Sequence, residues 1–139
     1  MARFLMMVKN SGKSLAAYEG GAQPDLELVK AMMKFNEELV NAGAWISGEG
    51  LHPSPKGARV IFETGKKARI VDGPFSEAKE LIGGFWICRF ANKQTALDFI
   101  ARCPIPDGEV EIREIFDIGD RPDDIKAPAL EFAEKLAKK

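Results

Sequence analysis

Two polar residues in two loops have side chains that could carry out proton chemistry. His52 lies in the segment SGEGLHPSP, and Asp72 begins the run DGPF inside VDGPFSEAKE. His52 is the only histidine of the chain, and imidazole is the side chain that ordinarily changes its charge between about pH 5 and 8. A carboxylate beside an imidazole orients the ring. The residue types therefore predict a catalytic His52–Asp72 pair that needs no cofactor.

Both residues also have a simpler interpretation. A histidine in a loop rich in glycine and proline can be a surface residue or a structural hydrogen-bond donor. An aspartate before Gly-Pro can cap a turn by accepting hydrogen bonds from backbone N–H groups two residues on. Because a carboxylate fixed in a turn can still orient an imidazole, the structural and the chemical interpretation of Asp72 both stay open.

Further polar side chains lie in or beside the same two loops. If the loops meet at one end of a sheet, these side chains form a polar cup around a substrate, in which Lys79 or Arg59 could hold an anionic group. Phe75 is apolar and directly follows the turn, so we expect it to point inward and anchor the loop. The predicted substrate-binding residues are Glu49, Ser54, Arg59, Glu77 and Lys79.

The composition is typical of one ordinary globular domain. The chain has 139 residues, of which 45% are hydrophobic and 29% charged, and a net charge of −1. There is no basic surplus of the kind that binds nucleic acid. Cys88 and Cys103, with a single histidine, cannot form a tetrahedral zinc site, and no glycine-rich phosphate-binding motif is present. No apolar run approaches the roughly 20 residues of a membrane span. We therefore expect a cytoplasmic protein without metal, cofactor, nucleic acid or membrane partner.

The hydrophobic periodicity predicts an alternation of strands and helices. The pair Gly83–Gly84 inside a strand pattern predicts a bulge or a close backbone approach. The segment 11–25 is rich in Gly and Ser and is predicted to be a loop. The predicted elements are strand 2–10, helix 26–42 with Asp25 as its N-cap, a strand from Trp45, hairpin strands 58–63 and 67–72, strand 81–90, a helix after Asn92, strand 108–117 and a helix after Pro128.

This order predicts an α+β fold. It matches a ferredoxin-like split βαβ antiparallel sheet with an inserted β-hairpin, two helices on one face and an additional C-terminal helix. The other sheet face has no helix to cover it, and strands 3–9 and 81–90 are apolar on both sides. The pattern therefore predicts a homodimer through the open face. Residues 1–118 are predicted to form the domain, and residues 119–139 a polar linker and a helix.

Four blocks of sequence carry a resemblance to a known family. They are SGEGLHPSP with the hairpin after it, VDGPFSEAKELIGGFWI, ALDFIARCP and GEVEIREI. In this order they resemble the DGPF-type proteins of the YCII-related family, over nearly the whole of residues 1–117. The resemblance implies a dimeric ferredoxin-like α+β fold, in agreement with the order of elements.

The same resemblance implies two classes of function. Related YCII proteins include a dehydrochlorinase that acts on a chlorinated hydroxyquinol, for which a His-Asp core is proposed; the residues of this type here are His52 and Asp72. DGPF-type proteins also occur beside extracytoplasmic-function sigma factors, which implies a signalling role. A small cofactor-free enzyme and a non-catalytic dimer that binds a small molecule or regulates a partner therefore both stay open.

Overall fold

Strand β1 (Ala2–Ser11) is apolar at successive positions, and it lies inside a four-stranded antiparallel sheet. The order across the sheet is β2-β5-β1-β6, where β2 is Trp45–Gly50, β5 is Glu80–Phe90 and β6 is Glu109–Glu114. This is the order of the split βαβ arrangement. The computed structural model describes residues 1–139, and it confirms the predicted α+β class.

Two amphipathic helices cover one face of this sheet. α2 (Leu26–Asn41) begins after Asp25, whose side chain accepts a hydrogen bond from the backbone N–H of Glu27. α3 (Lys93–Ile100) begins after Asn92, which accepts from the N–H of Thr95. Both caps were predicted from the sequence. The core between helices and sheet consists of Phe4, Met6, Phe35, Leu39, Ala44, Trp86, Cys88, Phe90 and Ala96.

The cysteines are packing residues of this core region. Cys88 is fully buried, and Cys103 is half-buried beside Met32. Burial raises the pKa of each thiol to about 11. Because the thiolate is the reactive form of cysteine, both side chains act as small apolar groups at neutral pH.

The main departure from the predicted elements is α1 (Gly12–Glu19), which occupies a segment predicted to be a loop. Ser11 and Ser14 form a capping box at its start, since Ser14 Oγ accepts from the N–H of Ser11. The helix is only eight residues long, has no fully buried residue and packs against β1 and β5. Tertiary contacts therefore outweigh the weak helical propensity of its Gly-Lys-Ser start.

The hairpin forms a sheet of its own. β3 (Ala58–Ile61) pairs with β4 (Arg69–Asp72), and neither strand joins the four-stranded sheet. Both strands are shorter than predicted, because the pairing ends at Ile61 and Arg69 and residues 62–68 form the connection between them. One face of the hairpin is apolar and open, with Val60, Phe62 and Ile70 exposed by 51%, 78% and 68%.

The two glycines of β5 produce the predicted bulge. The pairing of β1 with β5 shifts between Val8 and Lys9, whose partners are Gly84 and Ile82, so that Gly83 is left without a partner. A Cβ atom on Gly83 would overlap the amide nitrogen of the Asn10 side chain. The bulge therefore brings Asn10 against the bare backbone of β5 and opens space at this end of the sheet.

The C-terminal helix α4 (Asp123–Ala137) begins five residues before the predicted start and contains Pro128. Asp123 and Asp124 lie in its first turn, where carboxylates interact favourably with the helix dipole. α4 packs mainly on the short 3₁₀ turn Ile118–Asp120 and buries none of its residues. None of the helices has the length and apolar character needed to cross a bilayer.

Deletion of residues 120–139 is expected to leave the domain folded, because α4 contributes no buried side chain. The far-UV circular dichroism should lose only the signal of one helix, and the melting temperature should stay within a few degrees. Leu39→Ala is the destabilised reference: Leu39 is fully buried, and its truncation should lower the free energy of unfolding by about 2–5 kcal/mol. An unfolded truncated chain would assign α4 to the core instead.

Candidate functional site

The largest concave region lies on the helix side of the sheet. It consists of two adjoining cavities of about 800 Å³ and about 290 Å³. They are bounded by α2, the α1–α2 connection and the ends of β2 and β5. The residues that line both cavities are Tyr18, Met32, Asn36, Gly50 and Gly83. Because these linings are shared, the two cavities lie side by side, and we name them together the helix-side cleft.

Glycines create the floor of the helix-side cleft. A Cβ atom on Gly48 would lie 2.6 Å from Cη2 of Trp45 and 2.8 Å from Cδ1 of Trp86, so both indole rings lie directly against the strand. A Cβ atom on Gly84 would lie 3.0 Å from the carbonyl oxygen of Glu49. Gly50 has open space in front of it. The floor is therefore bare backbone walled by two indole rings.

The polar side chains of the cleft are mostly neutral. Asn36 Oδ1 accepts a hydrogen bond of 2.9 Å from Trp86 Nε1–H, which leaves the Asn36 amide nitrogen able to donate to a ligand. Asn10 also lines the cleft and has no hydrogen-bond partner for its side chain. Glu49 is the only charged residue of the lining, and no lysine or arginine contributes. Glu49 alternates with Gly48 and Gly50, so its side chain points toward the opposite sheet face.

His52 lies at the mouth of the larger cavity. Its side chain is exposed and makes no hydrogen bond or ion pair within the protein. The residues before it are held firmly, since the N–H of Leu51 donates to the carbonyl oxygen of Gly83 at 2.9 Å and the hydroxyl of Tyr18 donates to the carbonyl oxygen of Leu51. His52 therefore belongs to a fixed loop while its imidazole faces solvent and cleft.

Tyr18 contributes its ring to the cleft and its hydroxyl to the loop. Burial, and after it the negative charge of Glu19, raises the pKa of the Tyr18 phenol above its usual value of 10.0. The phenol is therefore protonated at neutral pH and keeps donating to Leu51.

On the other side of His52, Ser54 is the point where three segments meet. It is 8% exposed. One carboxylate oxygen of Glu19 accepts from the N–H of Ser54 at 2.7 Å, and the other accepts from its hydroxyl. The Ser54 Oγ in turn accepts from the N–H of Phe75 at 2.9 Å. The Ser54 hydroxyl, predicted to bind substrate, is therefore already engaged within the protein.

The turn Asp72–Phe75 is held against this point by close backbone contact. The N–H of Gly73 donates to the carbonyl oxygen of Gly57 at 2.9 Å. A Cβ atom on Gly73 would overlap the carbonyl oxygen of Ser54, so a side chain has no room there. Phe75 is half-buried, and the guanidinium of Arg59 lies 3.9 Å above the centre of its ring. The turn therefore needs glycine for space rather than for an unusual φ angle.

The predicted site residues do not gather in one cavity. His52 and Glu49 line the helix-side cleft. Asp72, Glu77 and Lys79 are exposed and line neither the helix-side cleft nor the cavity that contains Arg59, and no hydrogen bond or ion pair joins Asp72 to His52. The structure joins the two loops through Ser54 and Phe75 instead. A catalytic role of the His52–Asp72 pair stays a prediction.

Arg59 lines a different cavity, of about 510 Å³, on the sheet face that no helix covers. Lys9 in this cavity pairs with Glu111 at 2.7 Å and with Glu80 at 3.3 Å. The hydrogen bond to Glu111, followed by that to Glu80, raises the pKa of Lys9, and Lys9 lowers the pKa of Glu111. The charges on this face are therefore largely neutralised among themselves.

Sequence reasoning missed the residues that shape the cleft. Tyr18 and Glu19 were assigned to a loop, and Asn10 and Asn36 were not singled out. The available signal was local and weak: the serines at 11 and 14 flank the start of an apolar run, LAAY, which ends at a Gly-Gly pair. That pattern favours a short capped helix, but it does not reveal that the helix meets Ser54.

Comparison with known proteins identifies the family of the chain. The sequence profile of the YCII-related domain matches residues 2–119. The comparison with curated proteins gave no significant match. The match spans α1, the helix-side cleft, the His52 loop and the 72–75 turn, and it ends just before α4. The chain therefore belongs to the YCII-related domain family.

Proposed function

We propose that this protein binds a small, uncharged molecule with an apolar or aromatic body in the helix-side cleft. The observation that carries the proposal is the lining: indole rings and methionine surround a bare glycine floor, with the amide residues Asn10, Gln23 and Asn36 and no lysine or arginine. A volume of about 800 Å³ for the larger cavity suits a small ligand. The amide nitrogen of Asn36 and the side chain of Asn10 would bind its polar groups.

The charge of the ligand follows from what surrounds it. An anion in this cleft would lose hydration without gaining a cationic partner, which is costly. Arg59 and Lys79, the predicted partners of an anionic group, line other surfaces. The proposal therefore favours a neutral molecule over a carboxylate or phosphate.

Acid/base catalysis in the same cleft is the second candidate function. His52 favours it, because it lies at the mouth of the cleft with both ring nitrogens free of protein partners. An imidazole in this position could exchange a proton with a bound molecule without a cofactor. Asp72 would then act from outside the cleft, as an orienting residue at most. A regulatory role, including a link to sigma-factor signalling, would instead need binding without turnover.

We also propose that the protein is a homodimer through the open sheet face. Leu5, Met7, Phe85 and Ile87 lie at the alternate positions of β1 and β5 that face away from the helices. A second copy that packs on this face by a two-fold axis would bury these four side chains.

Binding can be measured through the two tryptophans of the chain, because both line the cleft. Benzamide and benzoate have nearly the same shape and differ in charge. Benzamide is expected to change the fluorescence saturably, and benzoate to bind at least about tenfold more weakly, since it finds no cation. Equal or tighter binding of benzoate would contradict the proposed ligand class.

A blocking variant tests the location of that binding. Gly50→Leu places a side chain in the open space of the cleft without a backbone clash, and it is expected to abolish the fluorescence change. Gly119→Leu is the matched control, because Gly119 also has open space around its Cβ position but lies in the turn before α4. Unaltered benzamide binding by Gly50→Leu would place the site elsewhere.

The dimer is tested by light scattering at micromolar concentration, which is expected to give about twice the chain mass of 15.3 kDa. Ile87→Arg should give the mass of one chain, because a two-fold contact would bring like charges together. Val40→Arg, at a residue of α2 that is 56% exposed, should leave the dimer intact. A wild-type protein with the mass of one chain would contradict the proposed dimer.

Catalysis is tested with the molecules that bind in the cleft. A ligand that the wild type converts and His52→Gln does not would establish His52 as its acid or base. Conversion that persists in His52→Gln would exclude it, and Asp72→Asn would then show whether the 72–75 turn has any part. Binding without conversion by any variant would favour the non-catalytic function.

A further inference from the structure

Two consecutive residues of α1 hold the chain on both sides of His52. Before His52, the Tyr18 hydroxyl donates to the carbonyl oxygen of Leu51. Beyond it, the Glu19 carboxylate accepts from both the N–H and the hydroxyl of Ser54. His52 itself has no hydrogen-bond partner in the protein. Its place at the mouth of the cleft is therefore set by its neighbours in sequence, and through them by α1.

The Glu19 contact is the stronger of the two restraints. A carboxylate that accepts two hydrogen bonds binds its donors more tightly than a neutral acceptor does. Ser54 is 8% exposed and Glu19 is half-buried, so water replaces these bonds poorly. The same serine hydroxyl accepts the N–H of Phe75. One carboxylate thus holds the His52 loop and the 72–75 turn in a single arrangement.

The arrangement gives Glu19 a role beyond the stability of its own helix. α1 buries no residue completely and is eight residues long, which is too short to be stable alone. Its last residue nevertheless reaches 35 positions along the chain to Ser54. A contact that served only to dock the helix would not need to end on Ser54, which lies two positions after His52 and contacts the 72–75 turn.

We propose that Glu19 is a positioning residue, which acts through Ser54 to hold the His52 imidazole at the mouth of the helix-side cleft. The proposal rests on the proposed function of that cleft as a ligand site. It predicts that the effect of Glu19 on ligand binding passes through His52 and disappears when the imidazole is absent.

The imidazole signals of His52 can show whether Glu19 acts on it through Ser54. The chain has one histidine, so the ring protons of His52 give one unambiguous set of signals in a ¹H–¹³C spectrum. Glu19→Gln keeps the size of the side chain but offers one oxygen in place of two. It is expected to shift and broaden these signals, as is Ser54→Ala, which removes the hydroxyl. Glu37→Gln, at an exposed glutamate of α2 without a hydrogen bond or ion pair, is the matched control and should leave them unchanged.

A double-mutant cycle separates positioning from a purely structural role. Glu19→Gln is expected to raise the dissociation constant for benzamide on the order of tenfold, the equivalent of one hydrogen bond to a charged group. In a His52→Ala background the same substitution should have no further effect, because the two act as a unit. Circular dichroism of each variant checks that the fold is retained.

Each outcome decides a different point. The positioning role would be overturned if the losses of benzamide affinity caused by Glu19→Gln and His52→Ala multiplied in the double variant. It would also be overturned if the His52 signals were unchanged in a folded Glu19→Gln protein. Either result would leave the cleft as the binding site. Failure of the wild type to bind benzamide would count against the proposed function, and the His52 spectrum would then decide the positioning role alone. A spectral shift in Glu19→Gln and Ser54→Ala, without one in Glu37→Gln, supports it.

Discussion

The hydrogen bonds between Glu19 and Ser54 are the constraint on which the site depends. They join the end of α1 to the loop that follows β2, and the Ser54 hydroxyl extends the connection to the N–H of Phe75. None of these three segments belongs to the four-stranded sheet, and these hydrogen bonds connect them to one another. A half-buried carboxylate that lost its hydrogen-bond donors would remain desolvated without compensation, which is unfavourable. The three segments are therefore held in a single relative arrangement.

A second constraint is the absence of side chains where space is required. Gly73 allows the 72–75 turn to approach the carbonyl oxygen of Ser54, and Gly48 allows two indole rings to lie against β2. Neither residue has a positive φ angle, so the chain needs glycine for close approach and not for conformational freedom. In the 72–75 turn, the close approach of the two backbones allows the hydrogen bonds that join the turn to Ser54. On the floor of the cleft, the missing side chains leave an open volume beside the two indole rings.

These constraints explain what the sequence could predict. Alternating apolar residues and the caps Asp25 and Asn92 are local signals, and they predicted the sheet, α2 and α3; the Gly83–Gly84 pair predicted the bulge. The partnership of Glu19 with Ser54 spans 35 residues and has no periodic signature. The helix that carries Glu19 starts with Gly-Lys-Ser, a weak helix start, so both the helix and its role were missed. The pairing of His52 with Asp72 was inferred from residue types, which say nothing of distance.

The two faces of the sheet differ in the interactions that they offer. On the helix side, bare backbone, amides and indole rings surround a cleft without a cation, which favours a neutral ligand. On the open side, Lys9 and Arg113 form ion pairs with Glu80 and Glu111 beside apolar strand residues, so these four charges cancel, which favours contact with a second protein surface. Since β1 and β5 contribute to both faces through alternate residues, a dimer through the open face would leave the mouth of the cleft and His52 accessible. Ligand binding and assembly can therefore be altered separately by substitution, although both depend on the same two central strands.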